Sequence, residues 1–235
     1  MDVIMIPGFW LRGESWNAIV PAIEAAGHRT HPVTPPGLDA VDDDRSDIGL
    51  ADHVAAVVAL IDRLGKPVVL VGHSGGGAVA HSVVDARPDA VARVIYVDSL
   101  PLGAGVAINE ELPVVDGEIP LPDWSFFGDE DLVDMDDEIR AEFRAKAVPT
   151  PARVATDPQV LRDSRRYDVP ITVIACEFSV DVIRELIESG DPFVAELARV
   201  RDATFVHLPT GHWPQFTKPA ELSSTIVEAL TQVDG

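Results

Sequence analysis

Short apolar runs alternate along this chain with longer stretches of helical periodicity, and no other feature of the sequence constrains the fold as strongly. The apolar runs predict six buried strands at residues 3–6, 28–33, 67–71, 94–97, 169–176 and 204–208. Stretches with apolar residues three and four apart predict helices at residues 15–26, 50–64, 78–86, 181–199 and 219–233. Strands that alternate with helices favour an α/β fold, with a mostly parallel central sheet and helices on both faces.

The segment from Pro101 to Tyr167 interrupts this alternation. It is rich in proline and acidic residues, and residues 130–138 contain no basic side chain. Its aromatic residues favour a binding lid over a solvated linker, and weak helical spacing predicts two or more short helices. We therefore expect a core formed by residues 1–100 and 168–235, with a small and mostly helical lid inserted at residues 101–167.

The charge balance argues against several classes of partner. The 235 residues include 18 lysines and arginines against 39 aspartates and glutamates, which gives a formal net charge of −21. Such a field repels phosphate backbones and anionic lipid surfaces, so we expect neither nucleic acid nor a membrane as a partner. The single cysteine, Cys176, cannot form an internal disulfide, and the chain does not open on the basic region of a signal peptide. These features predict a cytoplasmic protein, and they do not indicate its oligomeric state.

The strongest local motif is G-H-S-G-G at residues 72–76, which lies between an apolar strand and a helix. In that setting a G-x-S-x-G sequence forms a sharp turn that exposes the serine hydroxyl above the sheet. The flanking glycines permit the close backbone approach that such a turn requires. A phosphate-binding loop would need a lysine after the glycines, but Ala78 follows. We therefore identify Ser74 as a candidate nucleophile.

With this motif and the strand pattern around it, the chain resembles the α/β-hydrolase superfamily over nearly its whole length. It is most similar to small cofactor-free bacterial serine esterases, and more distantly similar to plant methylesterases and hydroxynitrile lyases. The resemblance implies an oxyanion hole made by two backbone N–H groups, from the residue after the serine and from the loop after the first strand. The matching positions here are Gly75 and Phe9. No cofactor is implied, and the sequence shows no histidine or cysteine spacing that predicts a metal site.

A serine nucleophile needs an adjacent base, because its hydroxyl is a weak nucleophile at neutral pH. The superfamily carries this base in the loop after the last strand. In this chain the strand at residues 204–208 is followed by a Gly-His loop that contains His212. His212 is therefore the candidate base. The other histidines fall on predicted strands or helices or flank the serine, and we expect structural roles for them.

The acid that orients the base is less clear from the sequence. Most of the superfamily carries it after the fifth strand, and Ser179 stands in that slot here. Asp98 follows the fourth strand, a position that some members of the superfamily use for the acid. A carboxylate there is costly unless it has a partner, which favours Asp98. Glu177 is the alternative acid, and Asp181 is a weaker one.

The resemblance implies that Ser74 attacks the carbonyl of a small or medium carboxylic ester or lactone and forms an acyl-enzyme. The expected partner is thus a small ester-like molecule. An apolar pocket is expected, and its predicted lining is Trp10, His73, Trp124, Phe127 and Trp213. Of these, His73 is expected to point away from the serine.

Three alternatives stay open at this point. A hydrolase of carbon–carbon bonds would use the same serine, histidine and acid. A hydroxynitrile lyase would also place a lysine near the pocket, and the only loose candidate is Lys146. A ligand-binding protein derived from the hydrolase fold would keep these residues without turnover.

Overall fold

The fold is built on a six-stranded sheet in which every neighbouring pair of strands runs parallel. The structure, a computed structural model, describes residues 1–233, so the last two residues of the predicted core segment lie outside it. The strand order is β2-β1-β3-β4-β7-β8. The strands of this sheet are β1 (Asp2–Ile6), β2 (Arg29–Pro32), β3 (Val68–His73), β4 (Val91–Val97), β7 (Ile171–Ala175) and β8 (Ala203–His207). The six predicted strands are confirmed.

Helices cover both faces of the sheet, as the alternation predicts. They are α1 (Val20–Ala25), α2 (Leu50–Leu64), α3 (Gly75–Ala86), α4 (Asp137–Lys146), α5 (Ala152–Thr156), α6 (Val180–Ser189), α7 (Pro214–Thr217) and α8 (Pro219–Thr231). One apolar cluster joins the sheet to α2, α3 and α6, and a second joins it to α1 and α8. Along β1, for example, Ile4 and Ile6 face the first cluster while Val3 and Met5 face the second.

Two predicted helices are shorter in the structure, and proline and glycine account for both. The stretch 15–26 forms an α-helix only from residue 20, with Pro21 in its first turn, where a missing N–H costs nothing. The stretch 181–199 ends its α-helix at Ser189, because Gly190 adopts the left-handed φ of 72° that closes a helix and Pro192 follows. Residues 192–199 form two short 3₁₀ turns instead.

The insertion at residues 101–167 lies between β4 and β7 and shares a third apolar cluster with loops of the core. It contains α4, α5 and a two-stranded antiparallel sheet of β5 (Glu118–Ile119) and β6 (Thr150–Pro151). Its buried Ile119 and Phe143 pack with Trp10 and Trp213, which belong to loops of the core. The insertion is thus packed directly onto the carboxyl-end loops of the sheet.

A buried ionic network holds the end of the insertion to the core. Glu196 accepts hydrogen bonds from Arg166 Nε at 2.8 Å, from His81 Nε2 at 3.0 Å and from the Tyr167 hydroxyl at 3.1 Å. The side chains of Arg166 and Glu196 are only 7% and 6% exposed. Each charge is therefore matched inside the protein, as a buried ion requires.

Within residues 1–233, no helix combines the length and the apolar character that crossing a bilayer requires.

Candidate active site

Ser74 lies in a tight turn between β3 and α3, with φ 52° and ψ −126°. The turn is fixed by backbone hydrogen bonds from Ser74 N to Val97 O at 3.1 Å and from Gly77 N to Ser74 O at 2.9 Å. A Cβ atom at Gly72 would lie 2.6 Å from the Gly76 carbonyl oxygen, so glycine is required there. The motif thus forms the strand-to-helix turn that the sequence predicts, with the serine side chain in the cavity described below.

His212 lies in the loop after β8, and its Nε2 is 2.7 Å from Ser74 Oγ. Its backbone is fixed from two sides. The His212 N–H donates to the Asp131 carbonyl at 2.8 Å, and the His212 carbonyl accepts from His73 Nε2 at 2.7 Å. Gln215 Nε2 in turn donates to His73 Nδ1 at 3.2 Å. The imidazole is therefore held at the serine by both the core and the insertion.

Asp98 follows β4 with a left-handed φ of 42°, which turns its side chain toward the histidine loop. Its Oδ2 accepts a hydrogen bond from His212 Nδ1 at 2.7 Å. Its Oδ1 accepts from the backbone N–H groups of Cys176 at 2.9 Å and Glu177 at 3.2 Å. A carboxylate only accepts, so the proton of the neutral imidazole lies on Nδ1 and leaves Nε2 free to accept from the serine.

Glu177 reaches the same imidazole nitrogen. Its Oε1 lies 2.9 Å from His212 Nδ1, yet this oxygen is buried and has no hydrogen-bond partner among residues 1–233. Both acids left open by the sequence therefore stand beside the histidine, but only Asp98 has the geometry of a hydrogen bond. Asp181, the weaker candidate, is 86% exposed and pairs with Arg184 instead.

The charges at the site shift one another's pKa values. Burial alone would lower the pKa of His212, but its contacts with Asp98 and Glu177 outweigh burial and raise it. Burial would raise the pKa of Asp98, but the hydrogen bond from His212 and the two backbone N–H donors lower it. Burial raises the pKa of Glu177 to about 7, with the charge of Asp98 adding to the effect. Asp98 is thus the firmly ionised carboxylate of the pair.

Ser74 opens into a cavity of about 640 Å³ that is mainly apolar. On the β1 side of the serine it is lined by Phe9 and Trp10, and on the β7 side by Val173 of β7 and Ile183 of α6. None of the lining residues is lysine or arginine. The cavity therefore offers apolar space on both sides of the serine hydroxyl.

The structure places most of the predicted pocket residues in this lining but corrects two of them. Trp10, Phe127 and Trp213 line the cavity, whereas His73 and Trp124 do not. His73 is completely buried beneath the histidine loop. Its ring nitrogens form hydrogen bonds with the His212 carbonyl and with Gln215 Nε2. Trp124 forms an outer layer behind Phe127 and Trp213, with ring centroids 5.7 and 5.9 Å away.

The two proposed oxyanion donors, Phe9 and Gly75, both line the cavity beside Ser74. Gly75 is the first residue of α3, where a helix leaves its N–H groups without an intrahelical partner. A Cβ atom on Gly75 would lie 2.6 Å from the Phe9 ring, so the two residues are in close contact. Both residues thus lie at the cavity beside the serine, and their N–H groups remain the donors that the family resemblance implies.

Several lining residues escaped the sequence analysis. The strand-like spacing of β7 and the amphipathic pattern of α6 predicted core residues, and neither pattern shows that Val173, Ile183 and Leu186 border a cavity. Asp131 belongs to an acidic run with no distinguishing local signal. The missed lining residues are Ala78, Ser99, Leu100, Leu102, Ile108, Asn109, Leu112, Asp131, Val173, Ala175, Phe178, Ile183, Leu186 and Phe193.

Within the part of the chain that the structure describes, the one group of potential cation ligands lies at the histidine. Among residues 1–233, one potential ligand atom each from Asp98, Glu177 and His212 lies within 4.8 Å of the others. Both imidazole nitrogens are already engaged, however, Nδ1 with Asp98 and Nε2 with Ser74. A metal ion would have to displace these hydrogen bonds, so the arrangement fits proton transfer better than metal binding.

A parallel sheet with a serine on the turn after a central strand, a histidine after the last strand and a buried carboxylate defines the class of α/β hydrolases. The comparisons agree with this class. The model of the alpha/beta hydrolase family matches residues 3–225, so the chain belongs to that family.

Curated relatives match about half of the chain. A pyrethroid hydrolase of Sphingobium wenxiniae is 33% identical over 118 residues, which are 50% of this chain and 41% of the relative. Lipase LipV of Mycobacterium tuberculosis is 33% identical over 132 residues, 52% of this chain and 45% of the relative. The matched regions thus span less than half the length of each relative.

A solved structure extends the likeness in fold to the whole chain. A methylesterase from Arabidopsis has a TM-score of 0.78 at 17% sequence identity, with 98% of this chain and 99% of that chain covered. At this identity the likeness describes the fold.

Proposed function

We propose that the protein is a serine hydrolase that cleaves neutral carboxylic esters with apolar groups on both sides of the ester bond. The observation that carries this proposal is the continuous hydrogen-bonded series from Ser74 Oγ to His212 and on to Asp98, with 2.7 Å at each step, at the wall of an apolar cavity. The names of the relatives, a pyrethroid hydrolase, a lipase and a methylesterase, support the same type of reaction.

In the proposed mechanism, Ser74 Oγ attacks the ester carbonyl while His212 Nε2 accepts its proton. The resulting imidazolium is stabilised by Asp98, which is fixed by two backbone N–H donors and needs no rearrangement when the charge forms. His212 then donates the proton to the departing alcohol oxygen. An acyl group remains on Ser74, and water activated by His212 releases it as the acid.

The N–H groups of Phe9 and Gly75 would stabilise the oxyanion of each tetrahedral intermediate. Each such donor typically contributes about 3 kcal/mol to transition-state stabilisation. Gly75 suits this role because the amino-terminal end of α3 also carries the positive end of the helix dipole.

The cavity favours bulky and uncharged substrates. Apolar walls on both the β1 and β7 sides fit an acyl group on one side and an alcohol group on the other. Three phenylalanines in the lining, Phe126, Phe178 and Phe193, are about half exposed, at 49%, 54% and 56%. We infer that they form the entrance, since exposed aromatic side chains at a cavity rim favour entry of apolar molecules.

One alternative, the hydroxynitrile lyase, is less well supported by the contacts. Lys146, the lysine considered for a hydroxynitrile lyase, pairs with Glu142 at 2.6 Å on α4 and is absent from the cavity lining. A carbon–carbon bond hydrolase would share the same three residues. A binding protein without turnover would occupy the same cavity, so a turnover measurement distinguishes it.

Steady-state hydrolysis of p-nitrophenyl esters of increasing acyl length tests the proposal, with Ser74→Ala as the variant. We expect turnover in the wild type and a loss of at least about 10³-fold in kcat for Ser74→Ala, because no other group can form the acyl-enzyme. Ser224→Ala is the matched control, since Ser224 lies on the exposed side of α8 and its Oγ donates to the Ala220 carbonyl. Undiminished turnover in Ser74→Ala, or saturable binding without turnover in the wild type, would contradict the proposal.

A further inference from the structure

His212 is unusual in facing two carboxylates through one nitrogen. Nδ1 lies 2.7 Å from Asp98 Oδ2 and 2.9 Å from Glu177 Oε1. The side chains of both acids are well buried, with 7% and 12% exposed. A neutral imidazole has a single Nδ1 proton, so the two acids cannot both accept it in line.

The two acids differ in how firmly they are held. Asp98 has two backbone N–H donors on Oδ1 in addition to the imidazole on Oδ2. Glu177 Oε1 is buried without a hydrogen-bond partner among the described residues, although the Nδ1 donor is within reach. A buried acceptor without a donor is costly, and Glu177 would recover that cost if the Nδ1 proton became available.

We propose that Glu177 is a second positioning residue for His212 and accepts the hydrogen bond from Nδ1–H when Asp98 cannot. This inference rests on the proposed serine hydrolase mechanism. Glu177 touches no reacting atom in that mechanism and acts only through the imidazole.

The charged surroundings of Glu177 support such a role. Four titratable groups face it: His212, Asp98, Asp131 of the insertion and the Cys176 thiol. Burial is the main reason that its pKa is raised, with Asp98 and Asp131 adding to the rise and His212 opposing it. Removal of Asp98 eliminates one of these like charges. The pKa of Glu177 then falls, so its carboxylate is ionised at neutral pH in a protein that lacks Asp98.

The test is a double-mutant cycle on kcat/KM for a p-nitrophenyl ester at pH 8, with Asp98→Ala, Glu177→Gln and the double variant. Alanine is the better replacement for Asp98. An asparagine would keep its oxygen on the two backbone donors and direct its amide N–H₂ at Nδ1, which would impose the wrong tautomer. Thermal unfolding of each variant verifies that it is folded.

If Glu177 takes over, Asp98→Ala loses only about 10- to 100-fold, whereas the double variant loses about 10⁴-fold, the loss known for a triad without a functional acid. Glu177→Gln alone loses a few-fold. The further variant Asp98→Ala/Glu177→Asp should match the double variant, because the shorter side chain does not reach Nδ1. Equal losses in Asp98→Ala and in the double variant would overturn the inference.

A pH profile separates positioning from a merely structural role. In Glu177→Gln the loss of a negative charge near His212 lowers the pKa of the imidazole, so the acid limb of kcat/KM moves to lower pH. Asp181→Asn removes the same charge from a side chain that is 86% exposed and should leave the limb in place. This measurement needs no change at Asp98, and an unmoved limb in Glu177→Gln would refute the inference. Wild-type turnover and its loss in Ser74→Ala test the hydrolase mechanism separately.

Discussion

At the scale of single residues, backbone strain is concentrated around the cavity. Among residues 1–233, five non-glycine residues have a positive φ, and three of them line the cavity: Trp10 at 63°, Ser74 at 52° and Asp98 at 42°. Such conformations cost of order 1–3 kcal/mol each and persist only where the surrounding structure imposes them. These strained conformations place the side chains of Trp10, Ser74 and Asp98 at the same cavity.

The pKa shift of His212 leads to a prediction for the pH dependence of ester hydrolysis. Only the neutral imidazole can accept the proton from Ser74, and the nearby acids raise its pKa above the ordinary value of 6.5. We expect the acid limb of kcat/KM to lie above pH 6.5, with activity still rising between pH 7 and 8. Initial rates in buffers of constant ionic strength measure this limb. An acid limb at or below pH 6.5 would show that the two acids do not raise the pKa of the imidazole.

The residues with a motif were predictable, and those defined by distant contacts were not. Ser74 and His212 stand in local patterns, the G-x-S-x-G turn and the loop after the last strand. The sequence favoured Asp98 as the acid but left Glu177 open, because the distances of both to His212 depend on how β4 and β7 lie side by side. The position of Trp124 was not predictable either, because it is aromatic like Phe127 and Trp213 but lies behind them. Local sequence does not encode which of several packed aromatic layers faces the cavity.

At the scale of elements, the insertion is tied to the loop that carries the base. Gly211 N donates to the Val133 carbonyl at 3.2 Å, and His212 N donates to the Asp131 carbonyl at 2.8 Å. Thr210 Oγ1 donates to Asp134 Oδ2 at 3.1 Å. The sequence predicts helices in the insertion but gives no sign of these contacts, since they join residues more than 70 positions apart. Residues 131–134 therefore act as a brace for the histidine loop, and the lid role proposed for the insertion has to leave this brace in place.

Gly211→Ala tests this brace. A Cβ atom there would lie 2.7 Å from the Val133 carbonyl oxygen and 2.8 Å from Val133 N, so the loop and the insertion must separate. We expect kcat for ester hydrolysis to fall by about 10²-fold, the cost of a misplacement of roughly 1 Å, with a smaller change in KM. The control is Gly103→Ala, because the nearest atom to its added Cβ is 3.8 Å away. Wild-type kcat in Gly211→Ala would mean that the brace does not position the base.

At the scale of the whole molecule, the buried network around Glu196 connects the insertion to the sheet and contributes to stability. Burial would raise the pKa of Glu196, but hydrogen bonds from His81 and Arg166 outweigh burial and lower it to about 2. A carboxylate whose pKa is lowered by folding stabilises the protein above its unfolded pKa of about 4.5. That contribution is lost as the pH falls through the folded value.

We therefore expect Glu196→Gln to lower the free energy of unfolding by about 3 kcal/mol at pH 7, because it leaves Arg166 buried without its partner charge. Urea unfolding at several pH values measures the difference in free energy of unfolding between the wild type and Glu196→Gln. This difference should be complete above about pH 5 and should decrease as the pH falls toward 2. The substitution changes the net charge only from −21 to −20, so the general repulsion among acidic groups nearly cancels in the difference. The exposed pair of Glu142 and Lys146 is the control, and Glu142→Gln should cost no more than about 0.5 kcal/mol. A cost independent of pH would contradict the linkage.

The parallel order of the sheet also determines when the site can exist during folding. Ser74 and Asp98 come from neighbouring central strands, but His212 arrives only with β8, the last strand of the chain, at the far edge of the sheet. A chain still emerging from the ribosome can pair β1, β3 and β4 and form the serine turn before the base has been synthesised. The hydroxyl is then a weak nucleophile without a partner, and it becomes reactive only when the carboxyl-terminal strand docks. For the proposed hydrolase, catalytic competence would thus require the completed sheet.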